Sequence, residues 1–134
     1  MADEHPARAA SHRSMSAVNR NAREEWLALF ADDAIVEDPI GVSILDPEGN
    51  GFRGKDEIAG FWDRNIGTNK IEFDIHHSYA AGSEVANTGT ITTTLENGMQ
   101  AIVEGTFVYR VNDEGKVISM RAYWEADNLK LIGP

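Results

Sequence analysis

The hydrophobic period of the chain changes once. Up to about residue 67, apolar positions recur every three to four residues; from about residue 70 they alternate. The first spacing marks helices packed by one face, the second marks strands with one apolar side. The strongest helical stretch is 55–66, where Ile58, Phe61, Trp62 and Ile66 form one stripe and Gly67 follows as a stop. An earlier helix has Asn21 as its cap and Glu24 three residues on, the spacing of a capping box. Its face is Trp26, Leu27, Leu29 and Phe30, and it is predicted to end at the Asp32-Asp33 pair. A weaker helix spans 8–20, with Ala10, Met15 and Val18 on one side. Residues 1–7 read as a flexible tail.

In the second half, Ile71, Phe73, Ile75, His77 and Tyr79 alternate with Glu72, Asp74, His76 and Ser78. A threonine-rich strand covers 84–95, and Asn97-Gly98 is a strong hairpin signal. The strand at 100–111 puts Val103, Gly105, Phe107, Tyr109 and Val111 on one face. After the turn at 112–115, a last strand to about residue 128 aligns Ile118, Met120, Ala122 and Trp124. Helices first and strands afterwards predict an α+β domain over residues 1–134, with three helices on one face of a curved antiparallel sheet. If the sheet curls, a cone-shaped pocket lies between the layers.

The candidate chemistry sits where the two halves meet. A short apolar strand delivers Glu37 and Asp38 into a turn at Pro39. Neighbouring strand side chains point to opposite faces, so only one carboxylate can enter an interior. A carboxylate at the edge of an apolar space is costly without a role or a partner. The loop at 42–54 contains Asp46-Pro47-Glu48-Gly49-Asn50-Gly51, which lacks calcium-loop spacing and reads as a solvated turn. Asp74, His76 and His77 are no metal set, because His76 and His77 face opposite ways.

Composition narrows the classes. The 134 residues are 42% hydrophobic and 25% charged, with no cysteine, so no disulfide or thiolate metal site exists. A net charge of −10 argues against nucleic acid and anionic membranes as partners. No apolar run is long enough to span a bilayer or serve as a signal core, and a cytoplasmic location is the expectation.

Three stretches carry a resemblance. They are Ala31–Ala34 running on through Glu37-Asp38-Pro39-Ile40-Gly41, Gly54–Trp62, and Asp113–Trp124. From Ser14 to Leu129 the chain resembles bacterial ketosteroid isomerases of an actinobacterial type. It is also similar to the wider group of SnoaL-like polyketide cyclases, limonene epoxide hydrolases, scytalone dehydratase and the nuclear transport factor 2-like fold. The resemblance implies a cone-shaped α+β barrel, no cofactor, a homodimer through the outer sheet face, and an aspartate base, here Asp38, that moves a proton between two carbons of a ketosteroid. It also implies a pocket for a flat, apolar, steroid-like molecule, lined by Ser14, Phe61, Trp62, Phe73, His77, Val103, Phe107, Tyr109, Met120 and Trp124.

The chain departs from that pattern at the electrophile. Counted back from Asp38, Ser14 stands where the family carries a first-helix tyrosine; counted back from Gly115, Phe107 replaces the oxyanion aspartate; Trp62 replaces a further tyrosine. Glu104 has the opposite strand parity. Tyr109, His77 and the threonines at 90–94 are the candidates to substitute. Loss of one oxyanion donor typically costs about 10²–10³ in rate. Three readings follow: a weakened steroid isomerase, a non-catalytic binder of the same ligands, and another enzyme on the same scaffold. An epoxide hydrolase ranks last, because Arg110 and Arg121 have the wrong parity to serve a cavity.

Overall fold

The structure, a computed structural model, describes residues 4–134. Three helices, α1 (Pro6–Asn19), α2 (Arg23–Ala28) and α3 (Gly54–Asn65), pack on one side of a seven-stranded sheet. Its strands are β1 (Phe30–Glu37), β2 (Phe52–Arg53), β3 (Lys70–Ala81), β4 (Glu84–Thr94), β5 (Gln100–Val111), β6 (Val117–Tyr123) and β7 (Lys130–Ile132). The order is β2-β1-β6-β5-β4-β3, with β7 paired to the start of β5. β3 to β6 form the expected antiparallel meander. β1 departs from that expectation: it enters through the helical half and lies parallel to β6, so the sheet is mixed.

The helices differ from the sequence reading at their ends. Helix α1 begins at Pro6, where His5 Nδ1 accepts the Ala7 amide at 3.1 Å, and Ala7 is fully buried. The predicted tail therefore ends earlier; its residues 1–3 lie outside the described residues. The capping box does not form. Asn21 sits at φ +56° in the corner between α1 and α2, and its amide donates to the Gly67 carbonyl at 3.1 Å. Helix α2 stops at Ala28, short of the Asp pair, because Phe30 already pairs with Val117. Tertiary strand pairing overrides the local helical pattern here.

Sheet curvature has a local cause. Gly89 and Gly105 are direct cross-strand partners. A Cβ on Gly89 would lie 2.2 Å from the Asp74 carbonyl oxygen, and one on Gly105 2.2 Å from that of Tyr123. Only glycines let the neighbouring strands fold over so closely. The bend wraps the sheet around α1. In the core between the layers, Trp26, Phe30, Trp62, Ile58, Val36 and Val117 are all essentially inaccessible.

Candidate active site

The cavity is enclosed by α1 and α3 on one side and the inner faces of β3 to β6 on the other, and holds about 490 Å³. That is the size of a pocket for one small molecule. Its lining is mostly apolar; the polar members are Ser14, Asp38, Arg64, Asn65, Asn69, Thr93, Tyr109 and Arg121, and Arg121 borders the cavity although strand parity predicted that it would not.

Asp38 follows β1 on the strand's inward parity, while Glu37 turns out and pairs with Arg121 Nε at 3.0 Å. Asp38 is half-buried as a residue and borders the cavity. Trp124 Nε1 donates to Asp38 Oδ1 at 2.7 Å. Burial pushes the Asp38 carboxyl above the usual carboxylate range, and the Trp124 bond opposes that in part. The bond also fixes the carboxylate and leaves Oδ2 with no hydrogen bond among the described residues. The result is a carboxylate with raised proton affinity, held by one hydrogen bond, in mostly apolar surroundings.

A second polar group lies at the closed end. Ser14 Oγ is 2.8 Å from Tyr109 Oη and accepts from Trp26 Nε1 at 3.0 Å. Burial, with a smaller contribution from the Asp38 charge, pushes the Tyr109 hydroxyl up to about 12. Trp26 in turn packs on Trp62 at 5.1 Å and on Phe30 at 4.7 Å between ring centroids.

Of the predicted pocket residues, Ser14, Phe61, Phe73, Val103, Phe107, Tyr109, Met120 and Trp124 line this cavity together with Asp38. Two do not. Trp62 lies in the core behind Trp26, 1% exposed and away from the cavity lining. His77 faces outward. The β3–β4 register slips between Ile75 and His77, a bulge that reverses the alternation, so His77 opposes Thr88 on the outer face and stacks on exposed Tyr79. A slip at the β5–β6 end acts similarly: Val117 is fully buried where the alternation predicted Ile118. Of the threonines considered as substitute donors, Thr93 reaches the cavity. Glu104 is exposed, as its parity requires.

Several lining residues escaped the sequence reading. In the sequence Trp26 reads only as part of a helix face, yet it lines the cavity. Leu129 and Leu131 border the cavity from the C-terminal segment; their spacing around Lys130 is a strand signal that leads to β7. Ile44 and Leu45 border it from the long loop, with Ile44 89% exposed, which places the mouth on that side. That loop is more built than a solvated turn: buried Asp46 accepts the Gly49 and Gly51 amides at 3.2 and 2.8 Å. Among the described residues, no three His, Cys, Asp or Glu side chains gather as a metal set.

Comparison with known proteins agrees with this architecture. Residues 12–120 match the SnoaL-like domain family. A steroid Δ-isomerase of Nocardioides simplex is 29% identical over 87% of this chain and 88% of its own. The crystal structure of a Δ5-3-ketosteroid isomerase from Mycobacterium sp. is 40% identical, with a TM-score of 0.93 over 96% of this chain and all of that one. RV0760c from Mycobacterium tuberculosis, solved in complex with estradiol-17β-hemisuccinate, is 36% identical, with a TM-score of 0.90 over 95% of this chain and 99% of that one.

Proposed function

This chain belongs to the SnoaL-like domain family, among its ketosteroid-isomerase-like members, and we propose that it is a steroid Δ-isomerase-like enzyme acting on a flat, apolar 3-oxo-steroid, with Asp38 as general base. The observation that carries this reading is the Asp38 carboxylate: it faces an apolar cavity, is oriented by Trp124, and has its proton affinity raised by burial. Such a base is matched to a weakly acidic carbon. In the reaction, Asp38 takes a proton from the carbon next to the ketone. The C–H electron pair moves into a dienolate, whose oxygen gains the charge. The same carboxyl then returns the proton to the far carbon of the conjugated system, and the ketone re-forms. No redox partner or metal enters the balance.

Support comes from the steroid isomerase relatives and from the steroid bound in RV0760c. One observation favours a second reading, a non-catalytic binder of the same ligands. Phe107 borders the cavity where the resemblance calls for an acid, which weakens the electrophile. The proposal includes a homodimer through the outer sheet face, to be checked by sedimentation, and a cytoplasmic location.

The test is ultraviolet detection of 5-androstene-3,17-dione isomerisation by wild type and Asp38→Asn. The conjugated product absorbs, so slow turnover is visible. Turnover in wild type that is lost in the variant is the expected result. Tight steroid binding by both proteins without turnover in either sinks the enzyme and leaves the binder.

A further inference from the structure

Two arginines border the cavity, and they differ in what they bind. Arg121 is engaged by Glu37 at 3.0 Å. Arg64 lies exposed on the last turn of α3, and its guanidinium has no hydrogen bond or ion pair among the described residues. Its neighbour Asp63 feels the Arg64 charge but is bonded by Arg23, at 2.8 and 3.1 Å. Asp46, Glu48, Asp56 and Glu57 share an adjoining groove with Arg64, and none of them pairs with it. Asp46 holds the Gly49 and Gly51 amides instead, and Glu57 holds the Arg53 amide at 2.8 Å. Asn65 and Asn69 also border this side of the cavity, but each spends its amide on the end of α3. They donate to the Phe61 and Asn65 carbonyls at 3.2 and 3.0 Å. The cavity rim therefore carries one charged group whose donors are all free.

That guanidinium is held in place without being used up. It lies 5.8 Å from the centroid of the Phe52 ring, over its face. Gly60 sits one turn back on α3, and a Cβ there would lie 2.9 Å from Arg64 Nη1. Glycine weakens a helix interior, and here it clears the space in which the arginine lies. A guanidinium stacked by its face keeps its N–H edge free, and that edge matches a carboxylate in two parallel bonds. We propose that the ligand is an amphipathic acid: its flat apolar body fills the cavity, and a carboxylate at its outer end pairs with Arg64. A chain of net charge −10 repels anions at long range. Preference for an acid must then come from direct contact with Arg64. The contact also sets direction. With the carboxylate at the exposed rim, the other end of the ligand is left for the interior that Asp38 borders. Phe52 and Gly60 touch no ligand in this arrangement; they are positioning residues.

The apolar body of this ligand rests on the proposed function, while the Arg64 contact needs no turnover. The probes are 3-oxo-4-androstene-17β-carboxylic acid and its methyl ester, which share one apolar body and differ in charge. Their dissociation constants are measured at about pH 8, where the acid is ionised, for wild type, Arg64→Gln and Gly60→Ala. Wild type binds the acid more tightly than the ester, and added salt shrinks the preference. In Arg64→Gln the preference falls about three- to tenfold, the range of a partly exposed bidentate pair, and ester affinity stays that of wild type. Gly60→Ala displaces the guanidinium and loses part of the preference, yet melts no lower than wild type, because alanine suits a helix interior. A purely structural role for Gly60 would move the melting temperature and leave the preference alone. An acid-to-ester ratio unchanged in Arg64→Gln overturns the inference, as does a wild type that prefers the ester. If turnover of 5-androstene-3,17-dione still depends on Asp38, the isomerase reading survives that result. An Arg64-dependent preference in a protein without turnover overturns the isomerase reading and leaves a binder of amphipathic acids. Failure of wild type to bind either probe overturns this inference, and Asp38-dependent turnover then decides the isomerase reading by itself.

Discussion

Replacing Trp124 by Phe tests how the base is tuned. Two effects act on the Asp38 carboxyl in opposite directions: burial raises its proton affinity, and the 2.7 Å bond from Trp124 Nε1 lowers it. Phe keeps most of the ring volume but has no N–H. A hydrogen bond to a charged group is worth about 1.5–3 kcal/mol. One pH unit corresponds to about 1.36 kcal/mol, so the substitution should raise the Asp38 midpoint by about one to two units. The acidic limb of kcat/KM for 5-androstene-3,17-dione then moves up by the same amount. A carbon-13 titration of the carboxyl reads the same midpoint without requiring turnover. A change in pocket volume alone alters KM and leaves the midpoint in place. A midpoint in Trp124→Phe equal to or below that of wild type would refute the assignment of Trp124 as the group that opposes burial.

Three further outcomes are expected. The Asp38 carboxyl is raised in the folded state, so the fold binds its proton more tightly than the unfolded chain does. The resulting penalty is absent below the unfolded value of about 3.9 and is complete above the folded one. Asp38→Asn should therefore melt higher than wild type at pH 7–8, with the gap closing near pH 4; a gap that widens in acid contradicts this sign. Gly105→Ala, whose new Cβ would lie 2.2 Å from the Tyr123 carbonyl oxygen, should lose about 1–3 kcal/mol in urea unfolding. A loss within about 0.5 kcal/mol would show that the sheet curl does not need this glycine. Asn87 is fully buried and neither end of its amide has a hydrogen-bond partner among the described residues. Asn87→Val should stabilise by about 1 kcal/mol in the same assay, and a clear destabilisation would mean the amide is satisfied in solution.

Local sequence was enough to place the main helices, the meander strands and the inward carboxylate, but not β2, β7 or the end of the predicted last strand, which stops at Tyr123 rather than near residue 128. The stripe at Ile58, Phe61, Trp62 and Ile66, the alternation after residue 70 and the Asn97-Gly98 turn all reappear, because each is a local signal of one face turned to one core. The Glu-Asp-Pro turn was legible as chemistry because strand parity admits only one of its two carboxylates. Parity failed where bulges intervene. One extra residue near His76 reverses His77 and Tyr79, and nothing local marks it. Whether β1 runs parallel or antiparallel to β6, and where α2 yields to β1, are decided by partners more than 80 residues away in the chain. The same holds for the pairs that define the site. Trp124 meets Asp38 across 86 positions, and Tyr109 meets Ser14 across 95. Each residue carried its own chemical capacity in the sequence. Only the curled sheet brought the Asp38 carboxylate and the Tyr109–Ser14–Trp26 cluster to the same cavity, because hydrogen bonds and burial depend on distances in space that chain spacing does not encode.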